Sequence, residues 1–329
     1  MPLFLSRSQV SSLLSMRESI DAVEEAFREL ALGTANMPHR ASLQIPGSDG
    51  WLLVMPALLS HARSLATKIV TVYNQNLTRH NIPNLLATIA LNDVETGRVE
   101  AIMDGSLITA MRTGAVSAVA TKYLARTSSR RLGLFGAGVQ ARKQLQAIRE
   151  VRKIESVCVY DSNRDLAKKL AQEASAEGEA NVSVADSPDA VVQSSDIIAT
   201  ATTSSIPVFN GRFLNPGTHI NAIGAFTPST RELDSETVSK CKIVVDMIDA
   251  ALSEAGDILI PLNEGVIQRG DIWAELGEVV TGRKRGRISE EEKTLFKSVG
   301  VGIQDAAVAK LVFKKAQSLG VGTQFDLDS

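Results

Sequence analysis

Residues 132–141 read LGLFGAGVQA. The apolar run RLGLF (131–135) enters Gly136-Ala137-Gly138 and passes without a break into a helical stretch, 138–150. Gly136 permits a tight turn. Gly138 lets a pyrophosphate approach the backbone, and Ala141 takes the third glycine's place, where a helix packs on a sheet. The helix start offers free N–H groups to phosphate. The next strand-like run, SVCVYD, ends at Asp161, 25 residues after Gly136. An acid there accepts hydrogen bonds from ribose hydroxyls and repels a 2′-phosphate, which favours NAD(H). Arg164, three residues on, suits that phosphate, so NADP(H) stays open.

Working outward, strand-like runs continue as NVSVA, DIIATAT, HINAIGA and KIVVDM, with helical stretches at 163–178 and 232–240. Strands alternating with helices mean βαβ units and a doubly wound parallel sheet of the α/β class. Ligands of such sheets bind beyond the strands' carboxyl ends. TATTSS (200–205) therefore puts Thr200, Ala201 and Thr202 beside a cofactor, and NAIGAF (221–226) does the same with Gly224. From residue 289, SEEEKTLFKSVG opens on Ser289 with Glu292 three residues on, a capping box that predicts a helix. A second helical stretch, IQDAAVAKLVFKKAQSLG, follows.

Ahead of the glycine turn the character differs. Residues 17–32 place Ile20, Val23, Phe27, Leu30 and Ala31 on one helical face, and Gly33 stops it. Between 39 and 104, the runs RASLQI, WLLVMPAL, LATKIVTVYN, NLLATIALND and GRVEAIMDG predict an antiparallel sheet, with a hairpin turn at NDVETG (92–97). Residues 105–126 are small-residue-rich and helical, and the domain boundary falls inside them.

The charges exclude some functions. Thirty-five basic against 37 acidic residues leave −2, which suits neither nucleic acid nor an anionic membrane as partner. No apolar run approaches the ~20 residues needed to span a bilayer, and the N-terminus lacks the pattern of a signal peptide. Cys158 and Cys241 stand far apart in apolar runs, as two buried thiols in a reduced, cytoplasmic setting. His39, His61, His80 and His219 show no ligand spacing, so no metal site is expected.

Three isolated cations stand out. Lys68 lies in the apolar run LATKIVTVYN, where alternation puts it on one face with Ala66, Val70 and Val72. It is either a lysine snorkelling from a strand edge, or a desolvated one with a lowered pKa, fit to act as acid, base or carboxylate clamp. Arg112, beside Thr113 in the small-residue helix, carries a fork suited to carboxylate or phosphate. Arg40 opens the first strand. Around a nicotinamide these suit a small α-carboxylate substrate.

Together the pieces resemble the ornithine cyclodeaminase/μ-crystallin family. The resemblance rests on ATKIV around Lys68, DGSLITAMRTGAVSAVATKYLAR (104–126), LGLFGAGVQAR (132–142), NAIGAFTPSTRELD (221–234) and GVGIQDAAVAK (300–310). It implies a split α+β domain for substrate and dimerisation, 1–115 with 300–329, around an inserted Rossmann domain, 116–299, in a homodimer whose strands pair across the interface. It also implies that Arg40, Lys68 and Arg112 meet the substrate carboxylate and that Lys68 is catalytic, with Asp305 near the site. Thr113, Gly138, Val139, Gln140, Asp161 and Thr202 match cofactor contacts, beside Gly136 and with Arg112 bordering both. Where the cyclodeaminases carry an aspartate that works on the substrate amine, this chain has Phe226, which lines the pocket instead. The expectation is an NAD(P)H-dependent reductase of a small cyclic imino acid. An alanine dehydrogenase-like enzyme, a redox-neutral cyclodeaminase or hydroxyproline lyase, and a non-catalytic binder are the other readings.

Overall fold

The computed structural model describes residues 1–176 and 181–326. Two compact units divide it: Met1–Arg112 with Val301–Ser329, and Thr113–Gly300.

The first unit is built on a mixed sheet. Its strands are β1 (Leu3–Leu5), β2 (Ala35–Asn36), β3 (Ala41–Gln44), β4 (Gly50–Leu59), β5 (Ser64–Tyr73), β6 (Leu85–Asn92) and β7 (Val99–Asp104). The runs expected between 39 and 104 form β3 to β7, an antiparallel meander with β5 central between β4 and β6. The turn between β6 and β7 closes on Asp93, whose Oδ1 accepts from Thr96 N at 2.8 Å, and Gly97 takes φ +75°. Two edge elements carry too few residues to announce themselves: β1 runs parallel to β7, and the short strand Thr323–Gln324 pairs with β1.

Alternation along β4 and β5 sorts the side chains onto two faces. Leu53, Met55, Ala57, Ala66 and Val70 are buried on one face, and Ile69 is exposed on the other. The helices Met16–Leu32 and Gly302–Leu319 belong to this unit, and both end on a left-handed glycine, Gly33 and Gly320. The second comes very close to the sheet: a Cβ at Gly302 would lie 3.2 Å from Ala57 Cβ and from Pro56 O.

The second unit is a parallel sheet of β8 (Arg131–Phe135), β9 (Ser156–Tyr160), β10 (Asn181–Val184), β11 (Ile197–Thr200), β12 (His219–Ala222), β13 (Lys242–Val245), β14 (Ile272–Glu275) and β15 (Thr294–Lys297). Their spatial order is β10-β9-β8-β11-β12-β15-β13-β14. The chain thus leaves β8 in one direction and resumes at β11 on its other side, the switch point of a doubly wound Rossmann sheet. Residues 163–178 contain the helix Arg164–Ala176; 177 and 178 lie outside the described residues. Within 232–240 the helix is Ser235–Ser239.

The helix expected from residue 289 is not there. Ser289 does make its capping bond, its Oγ accepting from Glu292 N at 3.2 Å, while Glu292 Oε2 accepts from Ile288 N, one residue earlier, at 3.0 Å. The chain then runs into β15, fully buried between β12 and β13. Local capping chemistry was satisfied in a bend, while burial on both faces selected the strand for TLFK.

His219 is structural. Its ring bridges Thr294 Oγ1 at 3.0 Å and Asn221 Oδ1 at 3.2 Å, and burial pushes its pKa down to about 3. Cys158 and Cys241 are free thiols, half-buried rather than fully buried. No helix among the described residues is long and apolar enough to cross a membrane.

Candidate active site

The glycine turn joins β8 to the helix Val139–Val151. Gly136 has φ +96°, and a Cβ there would lie 2.6 Å from Ala201 O, so the turn and the end of β11 touch at the switch point. Glycine is required twice over, by conformation and by space. Gly138, the helix N-cap, differs. A Cβ there would meet nothing within 4 Å, so space is open over the helix's first N–H groups, and Val139 is 60% exposed beside it. Asp161 braces the turn: its Oδ2 accepts from Ala137 N at 2.7 Å and its Oδ1 from Asn163 N at 2.8 Å. Gln140 Oε1 is buried without a hydrogen-bond partner among the described residues. These features fit a dinucleotide: an open cradle at a helix N-terminus, an acid at the end of β9 and an unspent acceptor. Arg164 is paired elsewhere, with Asp186 at 2.8 Å.

The ends of β11 and β12 are tied by a residue the sequence did not single out. Glu232 is fully buried. Its carboxylate accepts from Thr200 Oγ1 at 2.8 Å, Thr202 N at 2.7 Å, Thr202 Oγ1 at 2.8 Å and Gly224 N at 2.7 Å. Burial, and after it the charge of Asp257, pushes its pKa up, against those donors. Behind it, Asp257 Oδ1 accepts from Glu232 N at 2.7 Å and Leu233 N at 2.9 Å. Asp257 pairs with Lys297 at 2.7 Å, and Lys297 also donates to Ala225 O at 2.6 Å. Thr200, Thr202 and Gly224 are thus held as one edge, with Phe226, half-buried, just past it. Thr113 is buried, and its carbonyl accepts from Gln144 Nε2 at 3.1 Å. Polar residues inside apolar runs were the available signal for this network, and Lys297 in TLFK was the plainest.

The first unit holds a second cluster. Lys68 is 1% exposed. It sits on the central strand β5 between Met55 and Ile89, both buried, so it is not an edge lysine. The close approach of the Gly302–Leu319 helix brings Asp305, one turn in, onto it: Lys68 Nζ donates to Asp305 Oδ2 at 2.6 Å. Arg112, two turns into the helix Gly105–Leu124, donates through Nε to Asp305 Oδ1 at 3.1 Å and through Nη1 to Gln304 Oε1 at 2.7 Å. Arg40 lies just ahead of β3, half-buried, and near enough for its charge to act on Lys68.

Two buried cations therefore share one carboxylate, an excess of positive charge that suits an anion. Burial and then Arg112 lower the Lys68 pKa, Asp305 opposes them, Arg40 adds a smaller push downward, and the result is about 7. The lysine thus exchanges its proton at neutral pH, as a general acid or base requires. Among the described residues, no group of His, Cys, Asp and Glu is arranged to hold a metal ion.

The profile of the ornithine cyclodeaminase/mu-crystallin family matches residues 1–320. An alanine dehydrogenase of Archaeoglobus fulgidus is 42% identical over 322 residues, 98% of this chain and 97% of that protein. The solved Δ1-pyrroline-2-carboxylate reductase of Thermococcus litoralis, in complex with NADH and L-proline, superposes with a TM-score of 0.96 at 49% identity, covering 98% and 100% of the two chains. A solved archaeal alanine dehydrogenase dimer with bound NAD gives 0.94 at 41% identity, covering 99% of each.

Asp161→Ala tests the acid at the end of β9. The expected result is a shift of at least about tenfold in the ratio of NADH to NADPH dissociation constants, towards NADPH, because a charge facing a 2′-phosphate is gone. Equal weakening of both cofactors would mean that Asp161 only braces the turn.

Proposed function

We propose, on the footing that this chain belongs to the ornithine cyclodeaminase/mu-crystallin family, that it is an NAD(H)-dependent reductase of a small cyclic imino acid. Δ1-Pyrroline-2-carboxylate, giving proline, is the first candidate, and Δ1-piperideine-2-carboxylate, giving pipecolate, the second. The observation that carries this reading is the buried Lys68, poised near pH 7 between Asp305 and Arg112. The reductase of Thermococcus litoralis, with its NADH and L-proline, supports it.

The cofactor would lie on the Gly136–Gly138 turn and the Thr200–Thr202 edge, and it supplies the hydride. The chain's own residues do the rest. Arg112, with Arg40, holds the substrate carboxylate by charge-assisted hydrogen bonds. A C=N bond accepts hydride at carbon only as its nitrogen gains a proton. Lys68 Nζ gives that proton to the imine nitrogen and is recharged from solvent. In the reverse direction neutral Lys68 takes the proton from the amine. Asp305 sets the lysine's position and keeps its pKa from falling further. Phe226 offers an apolar side chain just past the Thr200–Gly224 edge. By the family resemblance it stands where cyclodeaminases have an aspartate, and a phenylalanine neither accepts a proton nor holds a cationic amine by charge, which argues against cyclodeamination.

The dimer belongs to the same proposal. The face of the first unit's sheet opposite Lys68 exposes Leu43, Ile69 and Leu86 at 57%, 49% and 42%. An apolar face of this kind on a sheet is a surface for a partner, and the archaeal alanine dehydrogenase neighbour is a dimer. A second copy of this chain would cover it.

The experiment is oxidation of NADH with Δ1-pyrroline-2-carboxylate, with pyruvate plus ammonia alongside. Turnover of the cyclic imine is expected. Turnover only with pyruvate and ammonia would establish instead the alanine dehydrogenase reading, which the Archaeoglobus fulgidus relative favours. Silence with both would remove both readings. Sedimentation of the same sample should give twice the chain mass of 35.2 kDa; a single-chain mass would remove the dimer.

A further inference from the structure

Gln304 stands in the first turn of the Gly302–Leu319 helix and is fully buried. Its Oε1 accepts from Arg112 Nη1. A guanidinium only donates, so this bond fixes which end of the amide faces the arginine. The other end, Nε2, is buried with no hydrogen-bond partner among the described residues. Buried amide donors are nearly always satisfied, and an orphan calls for an explanation.

The surroundings supply one. Around it Lys68 and Arg112 are donors, and both oxygens of Asp305 are spent, Oδ2 on Lys68 and Oδ1 on Arg112. The helix begins at Val301, which has no side chain able to cap it, so the positive end of the helix dipole adds to the two cations. Donors are in surplus, and the missing partner is an acceptor with negative charge.

We propose that Gln304 Nε2 donates a hydrogen bond to the carboxylate of the α-imino acid, so that Gln304 and Arg112 together bind and orient the substrate. This rests on the imino-acid reductase reading. No acceptor for Nε2 stands among the described residues, and the same amide orients Arg112 through its other end. The residue recognises the carboxylate, not the ring, so it should act on every α-carboxylate substrate alike.

The isosteric change Gln304→Glu, with a crystal structure of the wild type bound to NADH and L-proline, tests this role. It keeps an acceptor for Arg112 Nη1 but turns the donor facing the substrate into a second acceptor with charge. The added charge repels any carboxylate held by Arg112, so the rise in KM is read beside the wild-type crystal structure, in which a Gln304 that only held Arg112 would keep Nε2 away from the substrate carboxylate. The expected result is a rise in KM for the imino acid of about 30- to 300-fold, from a lost charge-assisted hydrogen bond and like-charge repulsion. The dissociation constant for NADH should stay within about threefold. Turnover is read at pH 6, where Lys68 carries its proton in both proteins. A KM within about threefold of wild type would overturn the proposal while leaving the function intact. Wild-type silence on every α-carboxylate offered would overturn the function and this proposal with it. Should the buried glutamate prevent folding, a crystal structure of the wild type with NADH and L-proline decides. Gln304 Nε2 within about 3.2 Å of a carboxylate oxygen is expected, and Nε2 bonded elsewhere would overturn the assignment.

Discussion

Lys68→Met is expected to lower kcat/KM for the imino acid by at least about 10³-fold while the NADH dissociation constant stays within about threefold. Proton transfer by a positioned side chain contributes roughly 10²–10⁴-fold, and methionine follows the lysine chain as far as Cε without a proton to give. The turn that would bind the dinucleotide lies in the other unit of the chain. The variant also removes a buried charge whose partner, Asp305, keeps Arg112, so the fold should survive. A loss below about tenfold would mean that solvent protonates the imine and that Lys68 is only a clamp.

The pH profile is the sharper form of the same result. With Lys68 as the proposed proton donor, the rate of reduction is expected to fall as pH rises through about 7, the pKa set by burial and Arg112 against Asp305. The oxidation needs it neutral and rises through the same value. Asp305 holds that pKa up, so Asp305→Asn should move both inflections to lower pH and leave the reduction weaker at pH 7. Inflections that stay put in Asp305→Asn would take the titration away from Lys68.

Much of this was legible in the sequence because the signals were local. LGLFGAGVQA contains its own turn geometry, and Gly136 at φ +96° is the conformation the motif requires. The alternation in LATKIVTVYN placed Lys68 on the face of Ala66 and Val70, which the structure buries. Whether Lys68 stood at an edge or inside was not legible, because β6, which makes β5 central, is paired through contacts a single strand does not encode. Asp305 lies 237 positions from Lys68, and no periodicity relates them. TLFK failed in the opposite way. Its local capping signal was real, but β12 and β13, which flank it on either side, decided the strand. Glu232 and Gln304 lie within NAIGAFTPSTRELD and GVGIQDAAVAK yet were not singled out, because each acts through bonds to backbone or to another side chain that no spacing reveals.

Lys297→Met is expected to cost about 3–5 kcal/mol of stability, the usual penalty for breaking a buried ion pair from one side. Lys297 and Asp257 are both fully buried at 2.7 Å. Without the lysine, Asp257 keeps the Glu232 and Leu233 N–H groups as donors but no cation, and it lies near a second buried carboxylate, Glu232. Lys297→Met combined with Asp257→Asn should recover most of the loss, since the uncompensated charge is gone while an oxygen remains for the two N–H groups. A urea titration of the two variants reads this directly. Stability unchanged in Lys297→Met would mean that water reaches the pair, and the account of the network would fall. The pair also links stability to cofactor binding. Asp257 fixes the backbone of Glu232, and Glu232 fixes Thr200, Thr202 and Gly224. The single variant should therefore weaken NADH binding although Lys297 lies two bonded residues behind that edge, and the double variant should restore much of it.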